Sequence, residues 1–404
     1  MQTELADFIR DTPQGREADA ILRKCVHCGF CTATCPTYQL LGDELDGPRG
    51  RIYLVKRMLE GATPTRKTRL HLDRCLTCRA CETTCPSGVQ YGRLADIGRA
   101  IVEEKVGRGF WEGIRRSVFG AVLPRTGLFG FFLFIGRLFR PLLPESLQKT
   151  IPERQRADAS WPASRHPRRM LALAGCVQPA IAPEINAAAA RVLDRAGVSL
   201  VEAPGAGCCG ALRFHLNDQE AGRDDMRALI DAWWPLVERG GIEAIAMTAS
   251  GCGAFVKEYA HHLKEDPAYR DKAAKISLLA KDLCELEFEV ETGKKGRVAF
   301  QSPCTLQHGQ QISGRVEALL RQAGYELTEV PEAHLCCGSA GTYSILQPEI
   351  SAALRERKLA ALGSGGPQVI ATANIGCLAH LQGGTPIAPS GTRARVVHWV
   401  QLLE

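Results

Sequence analysis

From about residue 169 onward, short apolar runs alternate with longer amphipathic stretches. Met170–Gly175 is such a run, ends at Cys176 and reads as a strand. A helix over Pro183–Ala196 comes next, stopped by Gly197, and Val198–Val201 is a second strand leading into Gly207-Cys208-Cys209-Gly210. A helix over Arg223–Glu238 and a strand over Ile242–Thr248 complete the unit at Gly251-Cys252-Gly253. The same order then recurs. Strand Val298–Phe300 leads to Cys304, helix Gly314–Ala323 to strand Tyr325–Val330 and Cys336-Cys337-Gly338, and helix Glu349–Leu362 to strand Val369–Thr372 and Gly376-Cys377. In each copy 31 residues separate the first cysteine from the cysteine pair, while 42 and 39 residues separate the pair from the last cysteine. A repeat of about 125 residues with one strand–Cys–helix–strand–Cys-Cys-Gly order predicts two similar lobes. Strands alternating with helices predict parallel sheets, with ligands at the carboxyl ends of the strands, where most of these cysteines fall. The expectation is two pseudo-symmetric α/β lobes, residues 169–290 and 291–404, with their cysteines facing a shared crevice.

Upstream the pattern changes. Pro48 suits a first helical position, and Arg51–Glu60 puts Ile52, Val55 and Leu59 on one face before Gly61 stops the helix. The loop Asp43–Arg51 (DELDGPRGR) is rich in turn residues and charge and reads as a solvated turn. Residues 1–105 are expected to form a mainly helical domain. Residues 106–168 are an apolar, basic connector whose last part, from 145, reads as an exposed linker rich in Pro, Arg and Ser.

The most apolar stretch is Leu128–Phe139, LFGFFLFIGRLF, with Arg137 inside it and Arg125 and Arg140 at its flanks. Crossing a bilayer takes about 20 apolar residues, so no transmembrane span is expected. A run of this length suits a buried core helix, a segment lying in the headgroup layer with its arginines reaching outward, or a docking surface for a partner subunit.

Composition fits a multidomain globular protein: 404 residues, 45% hydrophobic, 23% charged, net charge +6. The charge is uneven. Lys105–Arg169 holds 13 Lys or Arg against four Asp or Glu. Such a block favours anionic headgroups or an acidic partner; nothing else in the chain points to nucleic acid. Met1–Arg10 lacks the apolar core of a secretory signal.

The chemistry is carried by cysteine, of which there are 17. Cys25-x2-Cys28-x2-Cys31-x3-Cys35-Pro36 is repeated as Cys75-x2-Cys78-x2-Cys81-x3-Cys85-Pro86. This spacing holds 4Fe–4S clusters in two-cluster ferredoxins, with the fourth cysteine of each run ligating the other cluster. One cluster is then expected on Cys25, Cys28, Cys31 and Cys85, the second on Cys35, Cys75, Cys78 and Cys81. A closed zinc site needs four ligands and leaves a duplicated run of this kind unexplained. Disulfides are not expected in a chain read as lacking a secretory signal. Clusters of this kind move single electrons between partners.

The lobe cysteines are a candidate for a further metal or redox site: Cys176, Cys208, Cys209 and Cys252 in the first copy, Cys304, Cys336, Cys337 and Cys377 in the second. Cys176 and Cys304 stand where a succeeding helix would stabilise a thiolate. The alternative is buried small residues at an interface. Cys284 has no counterpart and reads as structural. His308, His334 and His380 gather near the second set, with His215 near the first. His380, three residues after Cys377, stands where a further ligand would fall, and Phe255 takes that place in the first lobe. These histidines are candidate ligands or proton carriers.

The two ferredoxin-type runs and the duplicated Cys-Cys-Gly (CCG) motifs together resemble the iron–sulfur subunits that serve membrane-linked flavin dehydrogenases, and within them the glycolate-oxidising branch. The resemblance runs essentially end to end, through Cys25–Leu54, His71–Val89, Ala190–Leu200, Thr248–Tyr259, Cys304–His308, His334–Tyr343 and Thr372–Cys377. It implies FAD-binding partner subunits that oxidise glycolate to glyoxylate, and D-lactate too. This chain would pass their electrons towards membrane quinone, as a peripheral protein on the cytoplasmic face of the bacterial inner membrane. No dinucleotide-binding fingerprint stands in a strand-then-helix setting here, so substrate chemistry is expected on the partners. The competing expectation is a CCG-type thiol or disulfide reductase fed by the ferredoxin domain. Heterodisulfide reductases, relatives in that family, carry a fifth cysteine in each CCG motif; here Phe255 and His380 stand in its place.

Overall fold

The computed structural model describes residues 1–142, 158–384 and 394–404. Residues 1–107 carry helices and 3-10 turns and no strand. Helices Pro13–Lys24, Pro48–Leu59 and Tyr91–Val106 pack around Leu22, Ile52, Val55, Leu59 and Leu94. Local chemistry fixes their starts: the Thr12 hydroxyl accepts from Gly15 N–H, and Pro48 opens its helix with no N–H to leave unpaired. The second and third of these helices come closest at Gly98, where any Cβ would stand 2.5 Å from Val55 Cγ2.

Asp43–Arg51 is not a solvated turn. A 3-10 turn, Glu44–Asp46, carries Asp46 inward to 0% exposure, and Arg51 is 1% exposed. Asp46 pairs with Arg51 (3.4 Å), Arg74 (2.8 Å) and His71 Nδ1 (3.0 Å). Two of those partners lie 25 and 28 residues further along, beyond the reach of any local pattern.

Helices Phe110–Val122 and Thr126–Phe139 come next, bent by 110° at the break between them. Leu128–Phe139 is not a core helix: Leu133 alone in Thr126–Phe139 is buried. No single helix among the described residues is long and apolar enough to cross a membrane. Residues 145–157 of the expected linker lie outside the described residues.

The rest of the chain builds two parallel four-stranded sheets. The first joins β1 (Arg168–Ala172), β2 (Val198–Glu202), β3 (Ile242–Met247) and β4 (Ala280–Asp282) in the order β2-β1-β3-β4. The second joins β5 (Arg297–Gln301), β6 (Glu326–Leu327), β7 (Val369–Thr372) and β8 (Arg395–His398) in the order β6-β5-β7-β8. The strand orders match position for position. Strands β4 and β8 were not expected, and β6 is shorter than Tyr325–Val330. After Leu327 one more ladder bond forms, Thr328 N–H to Val298 O at 3.0 Å, before the chain turns off towards Cys336.

The lobes share one core. Ile185 and Leu193 of the first pack in the same cluster as Val298, Ile370 and Trp399 of the second. At the carboxyl ends of the strands, Ser250 N–H donates to Ala373 O (3.1 Å) and Gly251 N–H to Asn374 Oδ1 (3.2 Å). His398 Nε2 donates to Thr248 O at 2.8 Å. The far side of the first sheet has its own core around Trp233 and Met226.

Candidate metal centre

Both cysteine runs in the helical domain are shaped by the same backbone. Two residues after the first cysteine, His27 (φ 55°) and Thr77 (φ 54°) are left-handed; after the second cysteine, so are Gly29 (φ 87°) and Arg79 (φ 61°). Non-glycine residues rarely adopt this region, and three of these four are not glycine. Such turns direct successive backbone N–H groups into the loop, as in anion-binding nests. Thr77 N–H stands 3.4 Å from Cys75 Sγ.

The runs interlock. Cys25, Cys28 and Cys31 line one open cavity together with Cys81 and Cys85 of the second run. This outer site opens at Cys28, which is exposed, between Val26 (67% exposed) and Phe30 (61% exposed). Burial pushes the Cys31 thiol up to about 11, with Cys25, Cys28 and Cys35 adding to the shift. The inner group is Cys35, Cys75, Cys78 and Cys81. Burial pushes Cys78 and Cys81 well up, and their thiol neighbours, Cys35 and Cys75 among them, push further. Cys75 goes the other way: burial opposes ionisation, but Arg51, Arg99 and Thr77 N–H outweigh it.

Crowded thiols that resist ionising together suit a multiply charged iron–sulfur core, which draws its ligands into the thiolate form. The donor set and its cavity therefore fit 4Fe–4S clusters. Sequence reasoning missed the supports. Arg99 donates to Leu72 O (2.9 Å), Cys75 O (2.6 Å) and Thr77 Oγ1 (2.9 Å), pinning the inner loop. Arg51 Nε donates to His71 O at 2.7 Å. Their signal was an arginine standing among the apolar positions of an amphipathic helix, Arg51 beside Ile52 and Val55 and Arg99 beside Ile101 and Val102.

Each lobe gathers its four cysteines, and thiol contacts run within the lobe. In the first, the thiols of Cys176, Cys208, Cys209 and Cys252 are successive neighbours, close enough to shift one another's ionisation. In the second, Cys304 and Cys336 sulfurs stand 3.7 Å apart, with Cys337 next to Cys336 and Cys377. The Cys-Cys-Gly turns match: Gly210 N–H meets Cys208 Sγ at 3.4 Å and Gly338 N–H meets Cys336 Sγ at 3.5 Å. The expected helix stabilisation at Cys176 and Cys304 is not met. The helical segments after them are short, Gln178–Ile181 and Thr305–Gly309. The hydrogen bond to Cys208, then burial, pushes Cys176 well up; the bond to Cys336, then burial, does the same to Cys304. Cys208 is pulled well down by the bonds from Cys176 and Cys209. Cys284 sits apart, in the shared core.

The second lobe's set also meets the helical domain. Cys78 packs in one cluster with Cys304 and Cys336, beside Leu76 and Tyr343. Tyr343 donates to Arg74 O at 2.9 Å. His308 Nε2 donates to His334 O (2.9 Å), leaving Nδ1 to accept from the Thr83 hydroxyl (3.0 Å). His308 thus pins the two domains, and His334 supplies its carbonyl. The His380 ring meets Ser351 Oγ at 3.3 Å, and that hydroxyl donates to Gly338 O. Phe255 lies in an aromatic group with Phe214 and His262, and His215 meets the same group edge to face.

Two known families match parts of the chain. A 4Fe–4S dicluster domain matches residues 21–89, and a cysteine-rich CCG domain matches residues 170–257 and again 298–382. Over 409 residues the chain is 54% identical to the glycolate oxidase iron–sulfur subunit of Escherichia coli (strain K12), covering 100% of this chain and 98% of that protein. The chain belongs to the glycolate oxidase iron–sulfur subunit family. A probable member from Bacillus subtilis (strain 168) is 32% identical, covering 95% of this chain and 93% of its own length. Lactate utilization protein A of Geobacillus kaustophilus (strain HTA426) is 26% identical over 54% of this chain and 92% of its own. The crystal structure of a hypothetical protein from Helicobacter pylori shares the fold, with TM-score 0.54 at 10% identity over 96% of this chain and 71% of that one.

Proposed function

We propose that this chain is the electron-transfer subunit of a multi-subunit glycolate-oxidising complex. FAD-binding partner subunits oxidise glycolate to glyoxylate, and D-lactate as well, and electrons leave towards membrane quinone. The observation that carries this reading is the end-to-end 54% identity with the Escherichia coli subunit. Cys25, Cys28, Cys31 and Cys85 hold one 4Fe–4S cluster, and Cys35, Cys75, Cys78 and Cys81 the other. Support comes from the single cavity that Cys85 shares with the first run and from the proximity of Cys35 to the second. Bound there, such clusters supply one-electron redox chemistry. The chain's own residues shape that chemistry: left-handed turns aim N–H groups at sulfur, Arg51 and Arg99 fix positive charge beside the inner set, and Val26 and Phe30 give exposed Cys28 an apolar rim for a redox partner.

We divide the chain into a mainly helical cluster domain (1–105), a connector (106–168) and two CCG lobes (169–290 and 291–404) related by a pseudo-twofold axis. The matching strand order supports that relation. The lobe cysteines are a further metal or redox site, nearest the inner set on the Cys304–Cys336 side. The subunit works peripherally at the cytoplasmic face of the bacterial inner membrane.

Replacing Cys28 by Ala in the assembled complex is expected to remove one cluster's EPR signal and stop quinone reduction, while glycolate still reduces the flavin. Quinone reduction that survives the change overturns the electron path. The 3.7 Å Cys304–Cys336 pair also suits a thiol–disulfide couple. Turnover of a disulfide by the purified chain with an artificial donor, without partners, would favour a reductase instead.

A further inference from the structure

The bent pair of helices Phe110–Val122 and Thr126–Phe139 has two unlike sides. The inner side is tied to the body. Arg108 and Arg116 pair with Asp73 at 2.8 and 3.6 Å, and Arg213 of the first lobe donates to Gly120 O at 2.9 Å. Leu133 is buried, and a Cβ on Gly130 would come within 3.9 Å of Ala180 Cβ. The outer side is apolar and open. Trp111 is 79% exposed and Val118 49% on the first helix; Phe131 is 57%, Phe134 63% and Leu138 61% on the second. An apolar surface of this extent marks an interaction site.

Charge says what kind. Residues 106–142 contain six arginines and one carboxylate, Glu112. Glu112 is turned inward, pairing with Arg108, Arg69 (3.5 Å) and Arg116 (3.4 Å). Arg115 and Arg125 are exposed beside the apolar stripe. The outward face thus combines aromatic and aliphatic side chains with cations and presents no outward carboxylate among the described residues. That is the composition of a segment lying in a headgroup layer: rings enter the acyl boundary and arginines meet lipid phosphates. Neither helix alone is long enough to cross a bilayer, and both are held to the body on their inner sides, an arrangement that suits lying along a surface.

We infer that this hairpin is a membrane-docking element that recognises anionic lipid headgroups. It also rests on the first lobe's thiol set. Thr126 Oγ1 reaches Gly175 O (3.5 Å), next to Cys176, and Arg213, whose backbone anchor is Gly120, lies beside Cys208. Docking would therefore hold the first lobe's cysteines near the bilayer. The inference deepens the membrane end of the function proposed above. Its test involves neither electron donor nor acceptor, so its failure would leave that function standing.

The test is sedimentation of the purified, cluster-loaded chain with vesicles of phosphatidylethanolamine and phosphatidylglycerol, against vesicles of phosphatidylcholine alone. Binding is expected to the first, and to weaken with added salt. Arg115→Gln and Arg125→Gln should each weaken it about fivefold. Phe131→Glu with Phe134→Glu should abolish it while iron content and far-UV circular dichroism stay those of the parent. Equal binding to both vesicle types overturns the inference, as does undiminished binding by the Phe variant. Vesicle binding unchanged in the Phe variant, with loss of co-purification with the flavoprotein subunits, would identify a subunit interface and overturn it too.

Discussion

Arg51 sits 1% exposed among three acceptors, namely His71 O at 2.7 Å, Thr37 Oγ1 at 3.1 Å and Asp46 Oδ1 at 3.4 Å. A buried ion pair gives little net stability compared with an apolar pair of the same shape, but removing one partner strands the other charge at a cost of several kcal/mol. Asp46 would keep Arg74 and His71, so the lower part of that range applies. Arg51→Met is expected to lower unfolding stability by about 3 kcal/mol, measured by anaerobic urea titration. Adding Asp46→Asn should recover part of that loss. An Arg51→Met protein as stable as its parent would mean that the network does not hold the inner cysteine loop. At this scale the sequence disclosed the grouped cysteines and hid what supports them. Cysteine spacing is a local pattern, whereas Asp46 meets Arg74 across 28 positions and Cys78 meets Cys304 only through the packing of two domains.

Elements with a one-sided apolar pattern, a proline at the start and a glycine just past the end were legible, as Pro48–Leu59 and Glu184–Arg195 illustrate. The strands missed were β4, three residues with Lys281 at its centre, and β8 (Arg395–His398), both at sheet edges, where one neighbour suffices to hold a strand. The charge-rich loop before Pro48 was misread because turn residues signal a turn without saying which way it faces. Close packing of elements was likewise invisible. Gly98 lets helix Tyr91–Val106 lie against Val55 with no room for a methyl group. Gly98→Val should cost about 1–3 kcal/mol through overpacking. Thermal denaturation of the loaded protein checks this, and an unchanged midpoint would show that the helices can part without penalty.

Across the whole molecule, the lobes are joined through a shared core and a few buried polar bonds, of which His398 to Thr248 O is the most enclosed. Burial lowers the His398 pKa to about 4, against an ordinary 6.5. Between those values the unfolded chain carries a proton that the folded chain does not, so stability rises with pH across that window and is lost as pH falls towards 4. The contribution is at most about 3 kcal/mol. Urea midpoints at about pH 5 and about pH 7.5 should differ less in His398→Gln than in the parent; an equal difference would place the acid sensitivity elsewhere. The helical domain is fastened to this two-lobe body through Tyr343, His308 and the Arg79–Glu258 pair (2.7 Å). That fastening bears on how the protein is made. Three of the four inner thiols are buried, and the fourth, Cys78, is covered by the second lobe, while Cys28 of the outer set faces solvent. On the ligand assignment proposed above, closure of the C-terminal lobe restricts access to the inner thiols, so the inner site is expected to fill before that lobe closes. The outer site, which opens to solvent at Cys28, is expected to remain accessible to filling, damage and repair in the folded protein.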